Sequence, residues 1–102
     1  VKVVSRIKLS SPAARKFWEI PVLFEDEYLL VLDKPGGLST SLDRCDPQRP
    51  NLMKLLHAAI ADGKLWANER RLNYLMNAHR LDFGTSGVLL LAKSRPVLVA
   101  LI

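Results

Sequence analysis

Between positions 79 and 87 the chain reads His79-Arg80-Leu81-Asp82-Phe83-Gly84-Thr85-Ser86-Gly87, its densest cluster of reactive and conformationally special residues. Arg80 and Asp82 are two apart, with apolar Leu81 between them. In an extended stretch that spacing turns the carboxylate and the guanidinium to one face and Leu81 to the other, where it anchors the segment in the core. A neighbouring guanidinium favours the ionised carboxylate, which is then competent as a nucleophile or base at neutral pH. Gly84 and Gly87 permit close approach of backbone or substrate. Thr85 and Ser86 add hydroxyls for local hydrogen bonds or phosphate contacts. The bland alternative, a structural Arg–Asp pair at a tight turn, is the commoner use of such spacing.

Other catalytic signatures fail against this segment. His79-Arg80 and Asp82-Phe83-Gly84 mimic two kinase motifs, but those belong on separate segments behind a glycine-rich loop that this sequence lacks. Gly84-Thr85-Ser86-Gly87 is not a nucleophile elbow, because Val88 stands where the second glycine is needed. Lys34-Pro35-Gly36-Gly37 lacks the phosphate-loop spacing.

The cluster must be positioned by its neighbours. Val88 to Ala92 is an apolar run of strand length, so the polar segment is delivered at a strand edge. Tyr28 to Leu32 is a second such run, and both fit strands buried on two faces. Val22-Leu23-Phe24 precedes it across the acidic turn Glu25-Asp26-Glu27, which predicts a hairpin. Lys34-Pro35-Gly36-Gly37 ends the strand. Residues 39–50 are polar and turn-rich, the best candidate for a mobile loop.

Asn51 to Asp62 is the clearest helix. Asn51 caps it, Leu52, Leu55, Leu56, Ala59 and Ile60 form one buried face, and Gly63 stops it. His57 falls on the solvent side. Residues 64–78 interleave Lys64, Arg70 and Arg71 with Trp66 and Tyr74, a pattern of nucleic-acid grooves and of ordinary amphipathic surfaces alike. Ser94-Arg95-Pro96 offers a further helix start, with Val97 to Ile102 as its first turns or as a strand. Upstream, Val3, Ser5, Ile7 and Leu9 share one face of a strand or ordered lead-in. Ser10-Ser11-Pro12 signals a short helix over Ala13 to Trp18, closed by Pro21.

The totals agree with one small domain: 102 residues, 49% hydrophobic and 25% charged. Net charge is +5, and it is uneven. Residues 51–102 hold seven Lys and Arg against three Asp and Glu, whereas residues 1–50 hold eight against seven. A basic half suits a polyanionic partner such as nucleic acid, and equally an uncommitted basic surface. The single cysteine, Cys45, excludes an internal disulfide framework and a paired-cysteine zinc site. It reads as a plain surface or half-buried thiol in a reducing, cytoplasmic setting. No apolar run approaches the roughly 18 residues of a membrane span. A non-Met start and the apolar run Val97 to Ile102 suggest a piece of a longer chain.

His79-Arg80-Leu81-Asp82, two variable residues, Thr85-Ser86-Gly87, an apolar run and Ala92-Lys93 resemble the signature of RluA-type pseudouridine synthases. Glu25-Asp26, an apolar strand and Asp33-Lys34-Pro35-Gly36-Gly37-Leu38 resemble the first motif of that family. The helix at 51–62 falls where the family has a Leu-rich helix. The resemblance covers about residues 22–102. It implies an α+β fold with a mixed, mainly antiparallel sheet and flanking helices, the front half of the catalytic domain, behind a lead-in or linker at 1–21. It implies a reaction without cofactor or metal, in which uracil is detached from ribose, rotated and rejoined through carbon. By the same resemblance Asp82 is the essential carboxylate, attacking the anomeric carbon or removing a sugar proton. Arg80 orients Asp82 and helps hold ribosomal or transfer RNA once the base is flipped out. Lys34 and Thr85 are further candidates for RNA contact, with a solvated turn lysine as the alternative for Lys34. His79 is read as structural. The tyrosine that packs on uracil and the basic partner of the aspartate belong to later family motifs; Tyr28 and Tyr74 do not fit that place. The alternative function is a non-catalytic RNA-binding module that keeps the fold.

Overall fold

The computed structural model describes residues 5–102. In chain order it contains β1 (Arg6–Ser11), β2 (Lys16–Glu25), β3 (Leu29–Lys34), α1 (Leu52–Ala61), α2 (Leu65–Glu69), β4 (Met76–Asn77), β5 (Gly87–Ala92) and α3 (Arg95–Leu101). The strands form one five-stranded sheet in the order β1-β2-β3-β5-β4. Every neighbouring pair is antiparallel. Among the described residues the parallel pairing is the isolated bridge Ser39–Asn51. The architecture is therefore α+β with an antiparallel sheet and helices beside it.

The first departure from expectation lies upstream. Residues 13–18 form no helix. Pro12 to Arg15 is a turn, closed by the Arg15 N–H donating to the Pro12 carbonyl at 3.1 Å, with Arg15 at φ 52°. β2 then starts at Lys16 and runs through Pro21. A six-residue helix would be too short to repay its nucleation. A hairpin instead lets Ile7 and Leu9 of β1 and Ile20 of β2 bury completely or nearly so. Pro21 is tolerated because it faces Arg6 at the end of the β1 register, and the next N–H, of Val22, bonds Ser5. The expected lead-in at 1–9 is strand β1 where it is described; Val1 to Val4 lie outside the described residues.

The acidic turn and the two strands around it form as expected. Asp26 Oδ1 accepts the N–H groups of Tyr28 and Leu29, both at 2.8 Å, which closes the β2–β3 turn. Glu25 is held by Arg70 at 2.9 Å and Lys93 at 2.8 Å. Arg70 also donates to Ser5 Oγ and the Trp66 carbonyl. Arg70 and the buried Trp66, two of the basic and aromatic residues in 64–78, are thus structural.

α1 begins at an Asn51 cap whose Oδ1 accepts the Lys54 N–H at 2.8 Å. Gly63 follows at φ 69°, the left-handed stop that glycine supplies. The helix packs against β1. Leu52, Met53, Leu56 and Ala59 join Ile7, Leu9, Ile20, Leu30, Leu32, Leu89 and Leu91 in one core. Each such burial contributes about 1.5–3 kcal/mol per large side chain. Burial on both faces of β3 and β5 is not observed. Leu30, Leu32, Leu89 and Leu91 are fully buried, but Leu29, Val31 and Leu90 are half-buried and Val88 is 52% exposed. Alternation of this kind is what an antiparallel sheet with one covered face produces. α3 starts at a Ser94 cap with Pro96 in its first turn, deciding for helix over strand.

Candidate active site

The His79–Gly87 segment joins the two-residue strand β4 to β5. It begins where the ladder between them runs out. Asn77 pairs with Leu91, the Ala78 N–H donates to the Leu90 carbonyl at 2.9 Å, and the Leu90 N–H donates to His79 Nε2 at 3.2 Å. The His79 ring therefore adds one rung to the sheet, the structural use expected for it.

Beyond His79 the chain leaves the sheet and turns. The Thr85 N–H donates to the Asp82 carbonyl at 3.0 Å, which makes 82–85 a tight turn with Asp82 at its first position. The turn rests on the segment that follows β3. The Gly37 N–H donates to the Phe83 carbonyl at 2.8 Å, with Gly37 at φ 82°. Gly36 lies so close to Gly84 that a Cβ there would sit 3.2 Å from the Gly84 oxygen. Thr40, 1% exposed, both donates to the Leu81 carbonyl at 2.8 Å and receives the Leu81 N–H at 3.0 Å. One hydroxyl thus fixes the residue before Asp82 on both sides of its backbone. Leu81 is only half-buried, so its anchorage comes as much from these bonds as from its side chain.

Lys34 overturns the picture of a turn lysine in water. Its side chain has no exposed surface. Its ammonium donates to the Thr85 carbonyl at 2.6 Å and to the Pro35 carbonyl at 2.9 Å. Burial holds its pKa below the ordinary lysine value, and the nearby negative charge of Asp82 pulls it part of the way back. Reading along the chain, Lys34 is the last residue of β3 and sits opposite Gly87 in the β3–β5 register. The period-two alternation that buries Leu30 and Leu32 also turns Lys34 inward.

Asp82 is exposed, as are Arg80, Thr85 and Ser86. Among the described residues no ion pair joins Arg80 to Asp82. The two-residue spacing therefore does not by itself make a pair of them. The cation whose field reaches Asp82 is Lys34, from beneath. A second cation approaches from the 39–50 loop: the Arg49 guanidinium lies 4.0 Å from the centre of the Phe83 ring, and carboxylates of Asp43 and Asp46 hold it there.

The structure thus brings Asp82, Lys34 and Thr85 together and leaves Arg80 free at the rim. Thr40 and Arg49 escape sequence reasoning, because nothing in a polar loop marks which hydroxyl or guanidinium will meet a segment so far along the chain. The alternation of β3 was a usable signal for Lys34. Cys45 is exposed. Among the described residues no group of three or more His, Cys, Asp or Glu side chains is placed to hold a metal ion.

The arrangement is a carboxylate presented to solvent on a hydrogen-bonded turn, with the Lys34 ammonium behind it and hydroxyls beside it. Comparison with known proteins gives the family. The model of the RNA pseudouridylate synthase family matches residues 28–101. A ribosomal large subunit pseudouridine synthase C of Yersinia pestis is 40% identical over 80 residues, covering 78% of this chain and 22% of that protein. Its Escherichia coli counterpart is 36% identical over 80 residues, with the same coverage. RNA pseudouridine synthase 5 of Arabidopsis thaliana is 32% identical over 93 residues, 91% of this chain and 24% of that protein. The chain therefore spans between a fifth and a quarter of the length of these relatives. A match running from the β2–β3 turn through α3 takes in both the Lys34 turn and the Asp82 turn, and on it this chain belongs to the RNA pseudouridylate synthase family.

Proposed function

We propose that the protein containing this chain isomerises uridine to pseudouridine in ribosomal or transfer RNA, without a cofactor, and that Asp82 carries the reaction. The observation that carries the proposal is the exposed Asp82 carboxylate on a turn clamped from below by buried Lys34 and Thr40. In the reaction the bond from uracil nitrogen to the sugar breaks and a bond from uracil carbon forms. The carbon's proton leaves and the nitrogen gains one, so composition is unchanged and no redox partner is required. A carboxylate suits either the attack on the sugar or the removal of its proton. Such chemistry needs the base out of its stack, at a cost of a few kcal/mol that contacts must offset. Arg80, exposed and unpaired among the described residues, is placed to meet RNA at the rim. The Thr85 hydroxyl side is open to a phosphate. Lys34 acts by positioning, since RNA cannot touch a side chain with no exposed surface. We assign residues 22–102 to the front part of the catalytic domain and the protein to the cytoplasm, where RNA and a free thiol both reside.

The test is Asp82→Asn in the full polypeptide, read by release of tritium from RNA labelled on the uracil carbon that rejoins the sugar. The expected result is loss of conversion with RNA binding retained. Conversion at the wild-type rate would refute the assignment. No conversion by the wild type, with RNA still bound, would favour the non-catalytic binding module.

A further inference from the structure

We infer that the protein holds the RNA strand beside its target in a basic groove along β1 and α1, in which Lys54, Lys8 and Lys64 take phosphates and Phe17 stacks on a base. The inference rests on the RNA-directed reading above and adds a contact surface outside the Asp82 turn.

The groove is built from two cavities that flank β1. One, of about 440 Å³, lies between β1, residues 48–50 and α1, and is lined by Arg49, Lys54, Lys8 and Lys64. The other, of about 510 Å³, lies between β1 and α2 and is lined by Arg6, Phe17, Lys8 and Lys64. Lys8, Leu9, Ser10 and Lys64 belong to the walls of both, so the cavities adjoin along β1. Each is large enough for a nucleotide-sized group.

Its charge is available. Arg6 and Arg49 are held by Glu19 and by Asp43 and Asp46. Among the described residues Lys8, Lys54 and Lys64 make no ion pair. Three free ammonium groups around a concave surface attract a polyanion, and the carboxylates in the two walls, Asp62 and Glu69, only partly offset them. Phe17 contributes an aromatic face that is 59% exposed, an arrangement that suits a stacked base better than a protein core. Ammonium groups along a groove with an aromatic platform are the recurring means of holding single strands.

Continuity with the Asp82 turn decides the occupant. Arg49 lines the first cavity and at the same time lies 4.0 Å from the centre of the Phe83 ring. Phe83 follows Asp82 directly. A strand leaving the carboxylate would therefore enter the groove past Arg49, where Lys54, Lys8 and Lys64 line its walls. An acidic protein segment would satisfy the ammonium groups but not explain the exposed ring or the link to the Asp82 turn.

The experiment measures binding of a fluorescein-labelled single-stranded RNA of mixed sequence to the full polypeptide across a range of salt. The triple variant Lys8→Gln, Lys54→Gln, Lys64→Gln should weaken binding and flatten the slope of log affinity against log salt by about 2, at roughly 0.7 per lost phosphate contact. Phe17→Ala should weaken binding about tenfold with the slope unchanged, as lost stacking does. Arg95→Gln, on α3 and in neither cavity, should leave the slope steeper than the triple variant does. Asp62→Asn should tighten binding, a gain that no unfolded variant could produce. An unchanged slope in the triple variant overturns the groove, as does a tenfold molar excess of polyglutamate displacing the RNA while Phe17→Ala binds like wild type. If tritium release by the wild type is present and the slope is unchanged, the groove fails alone. If release is absent while the triple variant flattens the slope, the enzymatic reading fails and the groove stands.

Discussion

Lys34 places a cation under a turn that carries a carboxylate above it, and its two acceptors are backbone carbonyls that no other donor serves among the described residues. Removing the ammonium leaves both carbonyls under-satisfied in a buried place. Lys34→Met is expected to cost about 2 kcal/mol, read by urea unfolding. The pH dependence has a definite sign. Burial lowers the folded-state pKa below the ordinary 10.5 of the unfolded chain, so in the window beneath 10.5 the unfolded state binds more protons. Stability contributed at this site is therefore present above 10.5 and lost as pH falls through the folded pKa. The difference in unfolding free energy between wild type and Lys34→Met should grow as pH rises through that window; a flat difference would show that the ammonium is not desolvated. Thr40 is the other residue on which Asp82 depends. Thr40→Val keeps the shape and removes both bonds to Leu81. We expect a loss of about 2 kcal/mol in stability. Conversion of uridine should fall further than RNA affinity, because the carboxylate is displaced while the rim is not.

The Glu25 corner shows how elements are joined. β2 ends at Glu25, which binds Arg70 just after α2 and Lys93 just after β5. The ends of three elements therefore meet on one half-buried carboxylate. Glu25→Gln should destabilise the protein by about 2 kcal/mol, because two cations lose a charged acceptor in a site with little water. A double-mutant cycle with Lys93→Met should show coupling, and additivity would deny that the corner acts as a unit. At the Lys34 turn the connection is made by backbone instead. Gly37 has the left-handed conformation that directs its N–H at Phe83. Gly37→Ala has open space for its Cβ but is strained by φ, at about 1–2 kcal/mol. Those pieces were partly legible. The hairpin at 22–32, the Asn51-capped helix and the strand at 88–92 were readable from local pattern. The hairpin at 6–25 was not, because a hydroxyl–Pro pair signals a helix start and a turn start alike, and only pairing with β1 separates them.

Over the molecule as a whole, β3 and β5 are the centre of the sheet. Each is paired on both sides, and their inward residues Leu30, Leu32, Leu89 and Leu91 are fully buried. β4, at an edge, has only two residues. Amide exchange should accordingly be slowest in β3 and β5 and fast in β4, and rapid exchange in β5 would contradict the topology. This ordering matters for chemistry: the Lys34 turn leaves the end of β3 and the Asp82 turn enters β5, so the most protected pair of strands sets the distance between them. No helix among the described residues is long and apolar enough to cross a membrane. The chain's own residues determined which segments become strands and helices near the site, because alternation, helical spacing and capping are written within a few neighbours. They also single out Asp82 and its hydroxyl-rich, glycine-rich flank, on which the proposed function rests. The tertiary structure alone decided which cation serves Asp82. Arg80 is two residues away and makes no ion pair among the described residues, whereas Lys34 is forty-eight away and underneath, since antiparallel pairing of β3 with β5 brings residue 34 opposite residue 87. Charge acts through space, and the register of two strands is a property of the folded sheet rather than of any short stretch of chain.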